Sequence, residues 1–239
     1  MIAQPEPRPW RSLYLDFARH IGRGVLAGML CGFVIGGVGG RLAMFILRLT
    51  SDPSVRGLES DDGFTIGAFT ADTLFLLIAA TLVGGFGGLV YLVVREWLSQ
   101  PWRATVAAGL AGAVGGAFAI RPDGVDFTEL EPVPLAVAMF IALPALYGAA
   151  VSLLADHAVE AAWGRGAGAV IFLPALVLLT ALPIAAAAAV VLLALAFDRR
   201  GAVSAVWRSR SVTWAGRLAL VVALAFATRA LVQDVTAVL

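Results

Sequence analysis

The sequence predicts an all-α fold: a polytopic integral membrane bundle of about six transmembrane helices. Three observations carry that expectation. Of 239 residues, 60% are hydrophobic and 14% charged, against about 25% charged in a soluble domain. Apolar runs longer than about 18 residues recur along the chain, the length a helix needs to cross a bilayer. The polar stretches between them are too short to hold a soluble domain. Residues 1–21 read as a cytoplasmic N-terminal segment, and 22–239 as a single transmembrane domain.

Each element follows from its pattern. Trp10, Leu13, Tyr14, Phe17 and Ile21 fall at helical spacing, with Arg11, Asp16 and Arg19 on the other side. That is a short amphipathic helix at the membrane surface. The apolar run behind it is too long for the h-region of a cleaved signal, so the first span is expected to stay as an anchor. Span one is Gly22 to Leu49 and span two Asp72 to Val94. Span three, Ala104 to Ile120, is short and rich in Gly and Ala; span four is Val133 to Ala155. Span five, Ala167 to Phe197, is long for one crossing and short for two, and span six is Val212 to Val232. Pro144, Pro174 and Pro183 fall inside spans four and five, where each removes a backbone donor and can kink its helix.

Span one contains GRGVLAGMLCGFVIGGVGGR, in which Gly24, Gly28, Gly32, Gly36 and Gly40 recur at every fourth position. An internal Gly costs about 1 kcal/mol relative to Ala in water. Inside lipid the return is close backbone approach, because small residues let helices touch. Matching small surfaces stand at Gly84, Gly85, Gly87 and Gly88 in span two and at Ala108, Gly112 and Gly116 in span three. Spans one to three are therefore expected to form a tight core, the ladder serving packing within the chain, a homo-oligomer or the lining of a narrow pore. Gly32→Leu should lower folded yield in detergent more than Leu30→Ala does.

A duplicated helical hairpin, residues 22–98 and 104–159, is a second expectation. At a constant offset of 61, Asp62-Gly63 matches Asp123-Gly124 and Phe86-Gly87 matches Tyr147-Gly148, with Leu74/Leu135 and Leu82/Leu143 between them.

Arginines near span ends set orientation. Arg8, Arg11, Arg19 and Arg23 precede span one, and Arg95 and Arg103 lie between spans two and three. The N-terminus is thus expected in the cytoplasm of a multi-pass cell-membrane protein. Arg199, Arg200, Arg208 and Arg210 break the rule, since a single crossing by span five would put them outside.

Nine of the sixteen acids map to the two outer loops or their edges: Asp52, Glu59, Asp61, Asp62, Asp72, Asp123, Asp126, Glu129 and Glu131. Such an imbalance concentrates small cations, and carboxylates suit hard divalent ions, although Asp-Gly is also an ordinary turn pair and no twelve-residue calcium loop is present. The candidate binding residues are Asp61, Asp62, Asp123, Asp126 and Glu129, with Arg41 and Asp72 as a candidate ion pair at the outer boundary of the bilayer.

The net charge of +1 suggests no nucleic-acid partner. Lys is absent, which excludes a Schiff-base cofactor. His20 and His157 lie on different spans and the lone Cys31 sits within span one, so no metal or cofactor set is expected. G-x-S-x-G, H-E-x-x-H and G-x-x-x-x-G-K-[ST] motifs are missing, and no enzyme is expected. Two functions fit best. One is a small-solute or cation transporter or channel with an acidic outer mouth. The other is a non-catalytic scaffold or accessory subunit, with the bilayer and a membrane protein as partners.

Overall fold

The computed structural model describes residues 10–55, 57–60, 63, 71–157 and 202–239, with isolated positions Ala187, Val190, Val191 and Ala194. Span five and the acids Asp61 and Asp62 lie outside the described residues. The described chain is mostly helical, and four of its helices are long and apolar enough to cross a membrane: Ile21–Thr50, Ala71–Val94, Val133–Asp156 and Arg210–Val238. They coincide with spans one, two, four and six. Span three is the shorter apolar helix Arg103–Ala119, whose 17 residues reach about 25 Å.

The first rod has three consecutive parts. Helix α1 is Trp10–Cys31, and its backbone runs unbroken from the N-terminal segment into span one. A π-helical segment follows at Gly32–Gly39, then α2 at Gly40–Thr50. A π-turn closes i→i+5 bonds and takes up extra residues per turn. The Gly40 N–H, shared between the carbonyls of Gly36 and Gly37, marks the return to α geometry. A short 3₁₀ turn at Pro53–Val55 leads toward α3, Ala71–Val94.

Helix α3 returns antiparallel to the rod. Gly24 faces Leu92, Gly37 faces Leu77, and Arg41 reaches Thr73. Helices α4 (Arg103–Ala119) and α6 (Val133–His157) form a second antiparallel pair, with the four-residue α5 (Val125–Thr128) in the turn between them. Gly148 packs on Ala107 and Ala111, Gly112 on Ala145, and Gly115 fits beneath the Pro144 ring. Span three therefore pairs closely with span four, not with span one as the shared small residues had suggested. Its small residues meet the Ala and Pro of α6, so its backbone is already covered.

A short helix and a long one complete the described chain: α7 at Ala202–Trp207 and α8 at Arg210–Val238, the latter capped by the Ser209 hydroxyl on the Val212 N–H. Helix α8 runs parallel to α4. Its start lies beside Trp97 through Gly216, and further along Leu231 covers Gly116. Thus α6 ends and α8 begins at the same end of the bundle. Arg208 and Arg210 consequently share an end with Arg95 and Arg103, and the exception to the arginine rule disappears for these two residues.

Two buried apolar clusters hold the bundle. One joins Leu47, Val55, Ile120, Phe127, Leu130, Ala136 and Val137 at the end bearing the acidic loops. The other joins Ala27, Cys31, Tyr91, Leu98, Ala107, Val151 and Ala155 toward the opposite, basic end.

Candidate functional site

Three places combine unusual geometry with polar chemistry: the glycine contact, the acidic end and the basic end.

At the glycine contact, α1 and α3 meet backbone to backbone. A Cβ on Gly28 would strike the Gly84 carbonyl and come within 2.9 Å of the Gly88 Cα. One on Gly32 would strike the Ala80 carbonyl and come within 2.8 Å of the Gly84 Cα. Reciprocally, Cβ atoms on Gly84 and Gly88 would strike the carbonyls of Gly28 and Gly24. The contact row then departs from the every-fourth pattern. Gly36 is exposed with only the Ala80 methyl at 3.4 Å, and Gly40 has nothing within 4 Å. The π-segment is the cause: it replaces one four-residue step by five, so the row runs Gly24, Gly28, Gly32, Gly37, Arg41. In the second hairpin, Gly112 would meet the Ala145 methyl at 3.0 Å, and Gly116 the Leu231 and Ile141 side chains at 3.0 and 3.1 Å. The Tyr147 hydroxyl donates to the Gly84 carbonyl at 2.5 Å, tying α6 to this contact.

At the acidic end the loops are stitched together. Thr50 Oγ1 donates to the Glu131 carbonyl at 2.6 Å, and Ser51 Oγ accepts from the Glu131 N–H at 2.7 Å while donating to the Leu47 carbonyl. The candidate acids separate here. Asp126 is buried at 3% exposure, whereas Asp123, Glu129 and Glu131 are exposed. Asp52 accepts the Ser54 N–H at 2.8 Å, which holds its carboxyl below the usual range. The Arg41 Nη2 donates to Thr73 Oγ1 at 2.5 Å, one residue beyond Asp72 in the first turn of α3. Among the described residues, no group of three or more His, Cys, Asp or Glu side chains is placed to hold a metal ion.

At the basic end lies a cluster that sequence reasoning passed over. Asp156, at the end of α6, accepts from Arg103 Nη1 at 2.9 Å and pairs with Arg95 Nη1 at 3.5 Å. The Tyr91 hydroxyl bridges Asp156 at 3.1 Å and the buried Ser152 hydroxyl at 3.0 Å. One carboxylate thus joins the ends of α3, α4 and α6. Arg217 of α8 adds the fourth helix, with Nε on the Trp97 carbonyl at 2.9 Å and Nη2 on Ser99 Oγ at 3.1 Å. The signal for this cluster is faint, since Arg103 and Arg95 lie 53 and 61 residues before Asp156. A trace exists in the offset of 61, which also separates Tyr91 from Ser152.

The chain matches no protein-family model, no curated protein and no solved structure.

Proposed function

We propose that this protein is a non-catalytic membrane scaffold or accessory subunit, with its basic end in the cytoplasm. The observation that carries this reading is the backbone contact of α1 with α3, which leaves no channel between them. Two further features support a rigid block. A buried apolar cluster underlies the acidic loops, and an ion-paired tie closes the opposite end. A protein of this kind acts through the surface it presents in the bilayer. Its expected behaviour is migration as a larger assembly in gently solubilised native membranes than after purification to homogeneity. Equal size in both preparations would oppose the scaffold reading.

The charge distribution supports the orientation. Arg95, Arg103, Arg208, Arg210 and Arg217 share an end with Trp97, Trp102, Trp207 and Trp214, the residues enriched on cytoplasmic flanks and at the interface.

A second reading, cation transport, rests on the exposed carboxylates Asp123, Glu129 and Glu131. Flux into proteoliposomes separates the two. Transport predicts cation uptake that falls in the Asp61→Asn/Asp62→Asn/Asp123→Asn variant, and the scaffold predicts none above empty vesicles.

A further inference from the structure

Residues Arg210, Trp214 and Arg217 stand at i, i+4 and i+7 on α8, hence on one face. The Arg217 guanidinium is oriented in advance. Its Nε and Nη2 are fixed on the Trp97 carbonyl and Ser99 hydroxyl, and its carbon lies 5.6 Å over the Trp214 ring. Among the described residues all three of those contacts are neutral, in contrast to Arg103 and Arg95, which are met by Asp156. Glu96, the nearby acid on the same turn, points to Arg95 at 3.7 Å. Two of the five guanidinium N–H groups of Arg217 are used, and the rest can meet an anion. Arg208 and Arg210 add two exposed cations, and the Trp97–Trp207 ring contact at 5.2 Å fixes α7 beside them. Below this group the adjoining exposed surface of α8 is apolar: Leu218, Val221 and Val222 are 65%, 62% and 45% exposed.

We infer that this face binds an anionic phospholipid. The phosphate lies between Arg210 and Arg217, beside the half-exposed indole of Trp214, and an acyl chain runs along Leu218, Val221 and Val222. Arginine presents the planar fork that phosphate oxygens accept, and basic pockets between helices at the cytoplasmic surface recognise such headgroups. The apolar continuation selects a lipid over free phosphate, which needs no such surface. The inference rests on this end meeting the bilayer surface but not on the scaffold reading.

The test uses the full-length protein in neutral detergent, mixed with phosphatidylglycerol or phosphatidylcholine, with bound lipid counted by native mass spectrometry. Phosphatidylglycerol should be retained over phosphatidylcholine, and selectivity should fall roughly fivefold for each arginine removed in Arg210→Gln and Arg210→Gln/Arg217→Gln. Arg121→Gln/Arg229→Gln, at the other end, should leave it unchanged. Arg210 is exposed, so its single variant reads binding even if loss of Arg217 loosens α8. Equal retention of both lipids, unchanged selectivity in Arg210→Gln, or displacement of the lipid by millimolar inorganic phosphate would overturn the inference. Sidedness does not enter a detergent measurement, so a wrong orientation would show separately, in reporter fusions.

Discussion

The Tyr147 ring lies over Gly87, where an added Cβ would come within 3.0 Å of the ring carbons Cε1 and Cζ. Glycine is required there because α6 crosses α3 with an aromatic side chain. Gly87→Ala should cost about 1–3 kcal/mol, the usual range for overpacking. The cost should fall by more than half in a Tyr147→Ala background, as a double-mutant cycle of detergent unfolding would report. Tyr147→Phe removes only the hydrogen bond to Gly84 and should cost about 0.6 kcal/mol. Asp156 makes a different kind of contact. Asp156→Asn leaves Arg103 and Arg95 without their counter-charge, which in a fully buried pair costs about 3–5 kcal/mol. The carboxylate retains 13% exposure, so a loss of about 2 kcal/mol is expected. Glu96→Gln, at 41% exposure, should change the same unfolding midpoint by less than about 0.5 kcal/mol.

Among elements, the π-segment decides which glycines matter. With α geometry throughout, Gly36 and Gly40 would continue the row begun by Gly24. The extra residue in the π-turn advances Gly37 onto Leu77 and Arg41 onto Thr73 instead. Leu47 can then enter the acidic-end core, and Ser51 can meet Glu131. Removing one residue from this segment should convert it to α-helix, whereas removing one from α1 must rotate Gly24 or Gly28 off α3. Deletion of Gly36 should therefore leave more folded protein in detergent than deletion of Ala27. The reverse order, measured by monodisperse yield, would contradict the register argument. Periodicity showed that span one carries a small-residue face. It could not show where that face turns, because an apolar stretch of Gly, Val, Ile and Phe reads alike in α and π geometry. Asp156 was hidden for another reason, since its partners come from other helices and no local spacing announces them.

For the whole molecule, hydropathy alone located the four helices that, among the described residues, are long and apolar enough to cross a bilayer. The direction of α8 was not legible in the same way. It depends on Gly216 lying against Trp97 and Leu231 against Gly116, contacts more than a hundred residues apart in sequence. Because α8 begins where α6 ends, it finishes at the acidic end, opposite the start of span one. Reporter domains fused to the two termini should thus be active on opposite sides of the membrane, the N-terminal one in the cytoplasm. Activity of both on one side would contradict the direction of α8 in the bilayer.

The contact of α1 with α3 underlies all of this, and two alanine substitutions in the same rod test it most directly. A methyl on Gly28 meets the Gly84 carbonyl, and a methyl on Gly40 meets open space. Detergent unfolding should show Gly28→Ala destabilised by about 2 kcal/mol or more. Gly40→Ala should be neutral or more stable by up to about 1 kcal/mol, the helix-propensity gain of Ala over Gly. If both substitutions shift the unfolding free energy equally, the two helices do not touch through their backbones and the account fails.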